Sequence, residues 1–326
     1  MDGSHDSRGH GGRRAGRRRR RTSAGAALLA LLLGVALAGL LDARALERDA
    51  RGMPVGPLRS LCLALLRPAV ALNQALGLDR PAAVVREALS PGPAAPATAP
   101  PRPPRPLWPR RVTRERPLRL YIAGDSMAQV FGSSLVNLAE GTGLVRARLD
   151  YHVSSGLSRP DFFDWRARFR EQLAAFRPDA VVAVFGANDG QDVEYRGEVL
   201  HVGTRAWLDL YARRVAAAMR LLSRDGRRVY WVGQPIMRDP GYRERIAMMD
   251  RVYREQAARF PGVHFVSSWA LFADARGRYA AALPDASGVP VPMRQSDGIH
   301  LTREGGDRLA AAVFRVIARD WDLPLD

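Results

Sequence analysis

The chain has 326 residues, 47% hydrophobic and 25% charged, an ordinary globular usage that excludes a wholly disordered polypeptide. Its net charge of +17 suggests a nucleic-acid binder until it is divided: residues 1–116 hold 21 arginines against 8 acids, residues 117–326 hold 29 against 25. The basicity lies mostly outside the larger folded part, so no nucleic-acid partner is expected, and one cysteine, Cys62, excludes a disulfide framework or a Cys-rich zinc site.

Residues 1–21 are polar, rich in Gly and Arg, and without periodicity; they are expected to be a disordered basic tail on the cytoplasmic side. Residues 22–41 hold 20 positions without a charge, dominated by Leu and Ala. As a helix they span ~30 Å, the thickness of a bilayer's hydrocarbon core. With the arginine block ahead of them, they predict a single-pass membrane anchor whose C-terminal side is exported. Ala43-Arg44-Ala45 is a small-x-small site that would suit cleavage, but the apolar stretch exceeds a usual signal core. Residues 42–89 are expected to be a juxtamembrane helical segment. Leu58, Leu61, Leu65, Leu72 and Leu76 have helical spacing, while Arg59, Arg67 and Pro68 argue against a second span. Two short helices lying on the membrane or docking onto the next domain, or a partly helical spacer, would both fit. Residues 90–117 contain ten of the 23 prolines and predict a semi-rigid linker.

Residues 118–326 alternate strand-like and helix-like stretches. Strands are predicted at Leu118–Ala123, Ala180–Phe185, Arg228–Val232 and Val263–Val266, with a weaker one near Ala147–Val153. Helices are predicted at about 127–140, 161–176, 204–224, 241–260 and 302–320, the second opening at Pro160-Asp161. This pattern predicts one α/β domain, a three-layer α/β/α sandwich around a mostly parallel five-stranded sheet.

Ligands of open parallel sheets bind beyond the carboxyl ends of the strands. There the sequence places Gly124-Asp125-Ser126-Met127, then Ser154-Ser155-Gly156, then Gly186-Ala187-Asn188-Asp189, and Asp297-Gly298-Ile299-His300 just before the last helix. The set suits acyl transfer. A serine nucleophile needs a base, an imidazole base needs a carboxylate to orient it, and a tetrahedral intermediate needs N–H donors. The residues also have other readings. Ser126 is placed to cap its helix, Asp125 to serve as a structural residue of the turn, and Asn188 to be an ordinary turn residue. His152, near a strand end, rivals His300 as base. Asp297 and His300 are also a possible metal pair, though no further ligand cluster accompanies them, and Asp189 and Asp192 are expected to cap or solvate a loop.

The four blocks, in this order over about 200 residues, resemble those of the SGNH (GDSL-like) hydrolases, with Met127 where that family often has Leu. The run Ser154–Trp165 resembles an exported, membrane-anchored bacterial branch of the family. The resemblance implies Ser126 as nucleophile, His300 as base, Asp297 as its orienting carboxylate, and Ser126, Gly156 and Asn188 as oxyanion donors. It implies neither a metal nor an organic cofactor. Combined with export, it implies a membrane-anchored, extracytoplasmic esterase acting on acyl esters, O-acetyl above all, of envelope glycans or lipids. An acyltransferase to an envelope glycan, or a silent envelope-binding module, would use the same fold.

Overall fold

The computed structural model describes residues 42–53, 55–76, 110–285 and 287–325, together with Gly34, Ala38 and Leu40. The expected basic tail 1–21, nearly all of the apolar span 22–41 and most of the Pro-rich tract 90–117 lie outside the described residues. Among the described residues no helix is long and apolar enough to cross a membrane.

Five strands form one parallel sheet: β1 (Leu118–Gly124), β2 (Val145–Tyr151), β3 (Ala180–Val184), then, past two short strands introduced below, β6 (Arg228–Val232) and β7 (Val263–Val266). Their spatial order is β2-β1-β3-β6-β7. The chain runs outward from β1 to β2 and then crosses back to β3, which makes the β1/β3 boundary the topological switch point. Residues alternate between two buried faces. Leu118, Leu120, Ile122, Val182, Val184, Tyr230 and Val232 face one core, and Tyr121, Ala123, Val181, Ala183, Val229 and Trp231 face the other. This double burial is why the strands read as continuous apolar runs.

The first core is covered by α3 (Met127–Gly141) and α7 (Arg303–Trp321). The second is covered by α4 (Trp165–Phe176), α5 (Arg205–Ser223) and α6 (Pro240–Ala257). Four of these helices start at side-chain caps: Asp164 accepts from the Ala167 N–H, Thr204 from Trp207, Asp239 from Tyr242 and Thr302 from Gly305. The three-layer α/β/α architecture and the five-stranded sheet are those expected from the sequence.

Three expectations need correction. Helix α4 begins at Trp165, capped by the Asp164 carboxylate, which accepts from the Ala167 N–H. Asp161, read as its start, instead pairs with Arg159 and Arg59. Strand β2 runs two residues earlier than expected, because this edge strand alternates exposed Arg146 with half-buried neighbours and so lacks an apolar run. Two hairpins were unforeseen: β4 (Val193–Tyr195) with β5 (Glu198–Leu200), and β8 (Ala282–Pro284) with β9 (Pro290–Pro292). At three residues per strand they are too short to show a period.

Before the domain lie α1 (Ala43–Gly52) and α2 (Pro57–Leu76). Helix α2 is continuous across Pro68, whose ring removes only the one bond that would reach the Ala64 carbonyl. Its buried residues are Arg59, Val70 and Asn73, whereas Leu58, Leu61, Leu65, Leu72 and Leu76 are exposed. The pair docks on the loop after β2. Arg59 Nη2 bonds Asp161 at 3.0 Å, and buried Arg159 donates to the carbonyls of Met53, at 3.2 Å, and Arg51. The Phe162 ring lies against Gly52.

Candidate active site

Ser126 precedes α3 and His300 precedes α7, two helices packed closely where Gly306 meets Val130. That packing brings residues 174 positions apart into contact: His300 Nε2 stands 2.9 Å from Ser126 Oγ. The other ring nitrogen, Nδ1, is 2.6 Å from Asp297 Oδ2. The second Asp297 oxygen accepts the backbone N–H groups of Ile299, at 2.8 Å, and His300, at 3.0 Å. Partial burial pushes the Asp297 carboxyl up, but the bonds from the His300 ring and these two N–H groups outweigh it and hold the carboxyl down at about 2. Asp297 is therefore ionised at neutral pH and only accepts. The shared proton lies on Nδ1, and Nε2 turns its lone pair toward the Ser126 hydroxyl.

Ser126 makes no side-chain cap bond to α3, so its hydroxyl is committed to His300 rather than to the helix. His152, the rival base, stacks on Phe163 with ring centroids 4.1 Å apart. Asn188 donates an amide hydrogen to the Ser155 carbonyl at 3.0 Å, which joins the loop after β3 to the loop carrying Gly156. Among the described residues no acceptor takes the backbone N–H of Ser126 or of Gly156. These two N–H groups, with the second amide hydrogen of Asn188, are donors available to a ligand oxygen.

Sequence reasoning left Asp189 as a capping or solvated loop residue, and the structure corrects this. Asp189 is fully buried. It accepts from the Ser158 N–H at 2.6 Å and the Tyr211 hydroxyl at 2.8 Å, and Tyr211 in turn contacts the Tyr253 hydroxyl at 2.5 Å. A Cβ at position 156 would stand 2.2 Å from Asp189 Oδ1, so only glycine leaves room for the carboxylate. Burial pushes the Asp189 carboxyl up, against the pull of these donors. Asp192 does serve a loop, accepting from the Val202 N–H at 2.8 Å and facing His201 Nδ1 at 2.9 Å.

Asp125 does the equivalent on the other side of the switch point. Its carboxylate accepts from Met127 in its own turn at 2.9 Å, and from Gly186 and Ala187 at 3.1 and 3.0 Å. Gly186 itself has φ +123°, a conformation side chains resist, which lets the chain turn its N–H groups onto Asp125. Full burial drives the Asp125 carboxyl up to about 7; the Met127 N–H bond opposes this and the nearby Asp189 charge adds to it. Asp125 and Asp189 together fasten the loops after β1, β2 and β3. The sequence reading of Asp125 as a structural residue of its turn holds, but position in a turn reveals neither burial nor the bonds that tie one loop to another.

The model of the family described as "Protein of unknown function (DUF459)" matches residues 119–316, more than half of the chain. The chain belongs to this family. All four blocks fall inside the matched region of this DUF459 chain, and in blocks and fold it is of SGNH type. No curated protein matches the chain. Among solved structures, a catalytic variant of an acetylxylan esterase from Geobacillus stearothermophilus is similar at 18% identity, covering 64% of this chain and 97% of that one, with a TM-score of 0.47. The C-terminal catalytic domain of a Streptococcus pneumoniae peptidoglycan O-acetyltransferase, carrying a methylsulfonyl adduct, is similar at 15% identity, 64% and 97% coverage and a TM-score of 0.43. An α/β hydrolase from the metagenome of Lake Arreo, Spain, is similar at 15% identity, 61% and 94% coverage and a TM-score of 0.46.

Proposed function

We propose that this DUF459 chain is a serine esterase of SGNH type. It would be anchored by residues 22–41 with its domain outside the cytoplasmic membrane, and would hydrolyse acyl, chiefly O-acetyl, esters of envelope glycans or lipids. The observation that carries the reading is the hydrogen-bonded chain Asp297–His300–Ser126. His300 Nε2 takes the Ser126 hydroxyl proton as Oγ attacks the acyl carbon. The Ser126 and Gly156 N–H groups and the Asn188 amide meet the oxyanion. Collapse breaks the ester bond, and His300 returns the proton to the departing alkoxide. A water then gives a proton to His300 and its oxygen to the acyl carbon, releasing the acid and restoring Ser126. Asp297 fixes the ring tautomer throughout.

The exposure of His300 and Asp297, 36% and 40% of their side chains, lets water reach the base and favours hydrolysis over transfer to a second hydroxyl. The exposed leucines of α2, which follows the apolar span after α1, support a position against the membrane. The test is turnover of a chromogenic acetyl ester by the full chain, with fluorophosphonate labelling of Ser126. Wild type should turn over the ester and take the label, and Ser126→Ala should do neither. A wild-type chain that neither hydrolyses nor labels would overturn the reading. Protease added to intact spheroplasts should digest the domain; full protection would overturn the topology.

A further inference from the structure

A groove of about 620 Å³ runs beside the turn that carries Asp297, lined among others by Arg238, Arg243, Trp269, Asp274, Arg278 and Tyr279. Its inner wall touches the site. The Arg238 N–H donates to the Gly298 carbonyl at 3.4 Å, and a Cβ at Gly298 would stand 2.6 Å from the Arg238 Cβ. Gly298 directly follows Asp297, so a residue that lines the groove is bonded to the turn that carries the base.

The groove's charge is one-sided, with three guanidinium groups against the single carboxylate of Asp274. That carboxylate is already engaged: it pairs with Arg278 at 3.0 Å and accepts the N–H groups of Arg276 and Arg278, each at 2.9 Å. Among the described residues neither Arg238 nor Arg243 forms an ion pair. This local excess contrasts with residues 117–326 as a whole, where arginines and acids nearly balance. Planar guanidinium forks match the paired oxygens of a carboxylate or phosphate. Half-buried Trp269 and Tyr279 supply ring surface in the same groove, of the kind that packs against the apolar face of a sugar.

We propose that the acyl-bearing substrate is an acidic glycan. The groove would hold the oxyanions of the sugars flanking the acylated one through Arg238 and Arg243, with Trp269 and Tyr279 against a sugar face. This rests on the esterase reading and names the substrate class of the same site.

The test uses the full chain in detergent with three acetylated oligosaccharides: an oligogalacturonate bearing carboxylates, a phosphomannan fragment bearing phosphates, and a neutral xylo-oligosaccharide. Wild type should prefer an acidic substrate by about tenfold in kcat/KM at low salt, and high salt should erase the preference. Arg238→Ala and Arg243→Ala should each lower the acidic-to-neutral ratio about fivefold, as befits partly exposed charges. Comparing the carboxylate and phosphate arms tells which anion is recognised. A wild-type ratio near one, or a ratio unmoved in both variants, overturns the proposal while leaving the esterase in place. Calorimetric titration with the deacetylated oligogalacturonate and phosphomannan separates the other failure. Binding that both substitutions abolish, in a chain that turns over no ester, upholds the groove and sinks the esterase.

Discussion

On one side of Ser126 the loops after β1, β2 and β3 are fastened by two fully buried carboxylates, Asp125 and Asp189, each bonded to backbone N–H groups. On the other side Asp297 and His300 occupy a turn open to solvent, held by the N–H groups of Ile299 and His300 and by the bond from the Gln295 N–H to the His300 carbonyl at 2.8 Å. The buried side supplies N–H donors whose positions are set before substrate arrives. On the proposed mechanism the open side supplies a base that exchanges protons with water. Oxyanion stabilisation depends on preorganised dipoles, and proton transfer depends on access, so the two halves answer to different requirements.

The largest expected effect breaks the nucleophile–base pair that spans the two halves. Ser126→Ala should bring ester turnover to background, and His300→Ala almost as low. The double variant should be little worse than either, because groups that act as a unit do not add. Steady-state kinetics with folding checked by circular dichroism decides; a double variant much slower than both singles would mean that the two residues act independently.

Next come the donors of the buried half. Asn188→Ala should lower kcat by roughly 10²–10³ with KM nearly unchanged, since the amide meets a charge that exists only in the transition state. Gly156→Ala should harm both activity and folding, because its methyl group would land on Asp189 Oδ1 and either the loop or the carboxylate must move. Asp189→Asn keeps the volume and should lower kcat less than Gly156→Ala. A rise in KM alone for Asn188→Ala would remove it from the oxyanion site. On the open half, Asp297→Asn should cost less than His300→Ala, as it misorients the base without deleting it.

The same division explains what was legible in the sequence. The inner strands and the order of helices show because two-sided burial writes apolar runs, whereas the edge strand β2 showed only weakly; Ser126, Gly156, Asn188, Asp297 and His300 show because each follows a strand or precedes a helix. Asp125 showed as a structural residue of its own turn but not as a tie to the loop after β3, and Asp189 did not show as a fastener at all. A buried carboxylate is one letter in a turn, and only the three-dimensional meeting of the Gly186 and Gly156 loops reveals its donors. Arg159 is similar: the run Ser154–Trp165 stands out in the sequence, but the bonds of Arg159 to the carbonyls of Arg51 and Met53 join segments more than 100 residues apart. The hairpins β4–β5 and β8–β9 were missed for a third reason, since three residues hold too little pattern.

The smallest effect on turnover, and the sharpest test of the buried half, is the pH dependence of stability. Burial pushes Asp125 up to about 7, and does the same to Asp250, whose carboxylate accepts from the Gln234 N–H at 3.1 Å beyond the end of β6. In the unfolded chain a carboxyl loses its proton near 3.9. Between about 4 and 7 the native state therefore holds more protons than the unfolded state, so the unfolding free energy falls as pH rises through this window and levels off above it. Asp297, held low, runs the other way and weakens the fold only as pH drops from about 4 toward 2. Asp250→Asn keeps an acceptor for Gln234 but cannot ionise. It should leave Tm at pH 4.5 nearly unchanged and raise it at pH 7.5, by about 2–4 °C for each kcal/mol gained. The ceiling is ~4 kcal/mol for a carboxyl displaced by about three pH units. Thermal unfolding followed by circular dichroism across that range measures it. A Tm that rises from pH 4.5 to 7.5 in wild type, or a variant with the wild-type slope, would show that the buried carboxyls are ionised throughout and that their N–H donors, rather than their burial, set their charge.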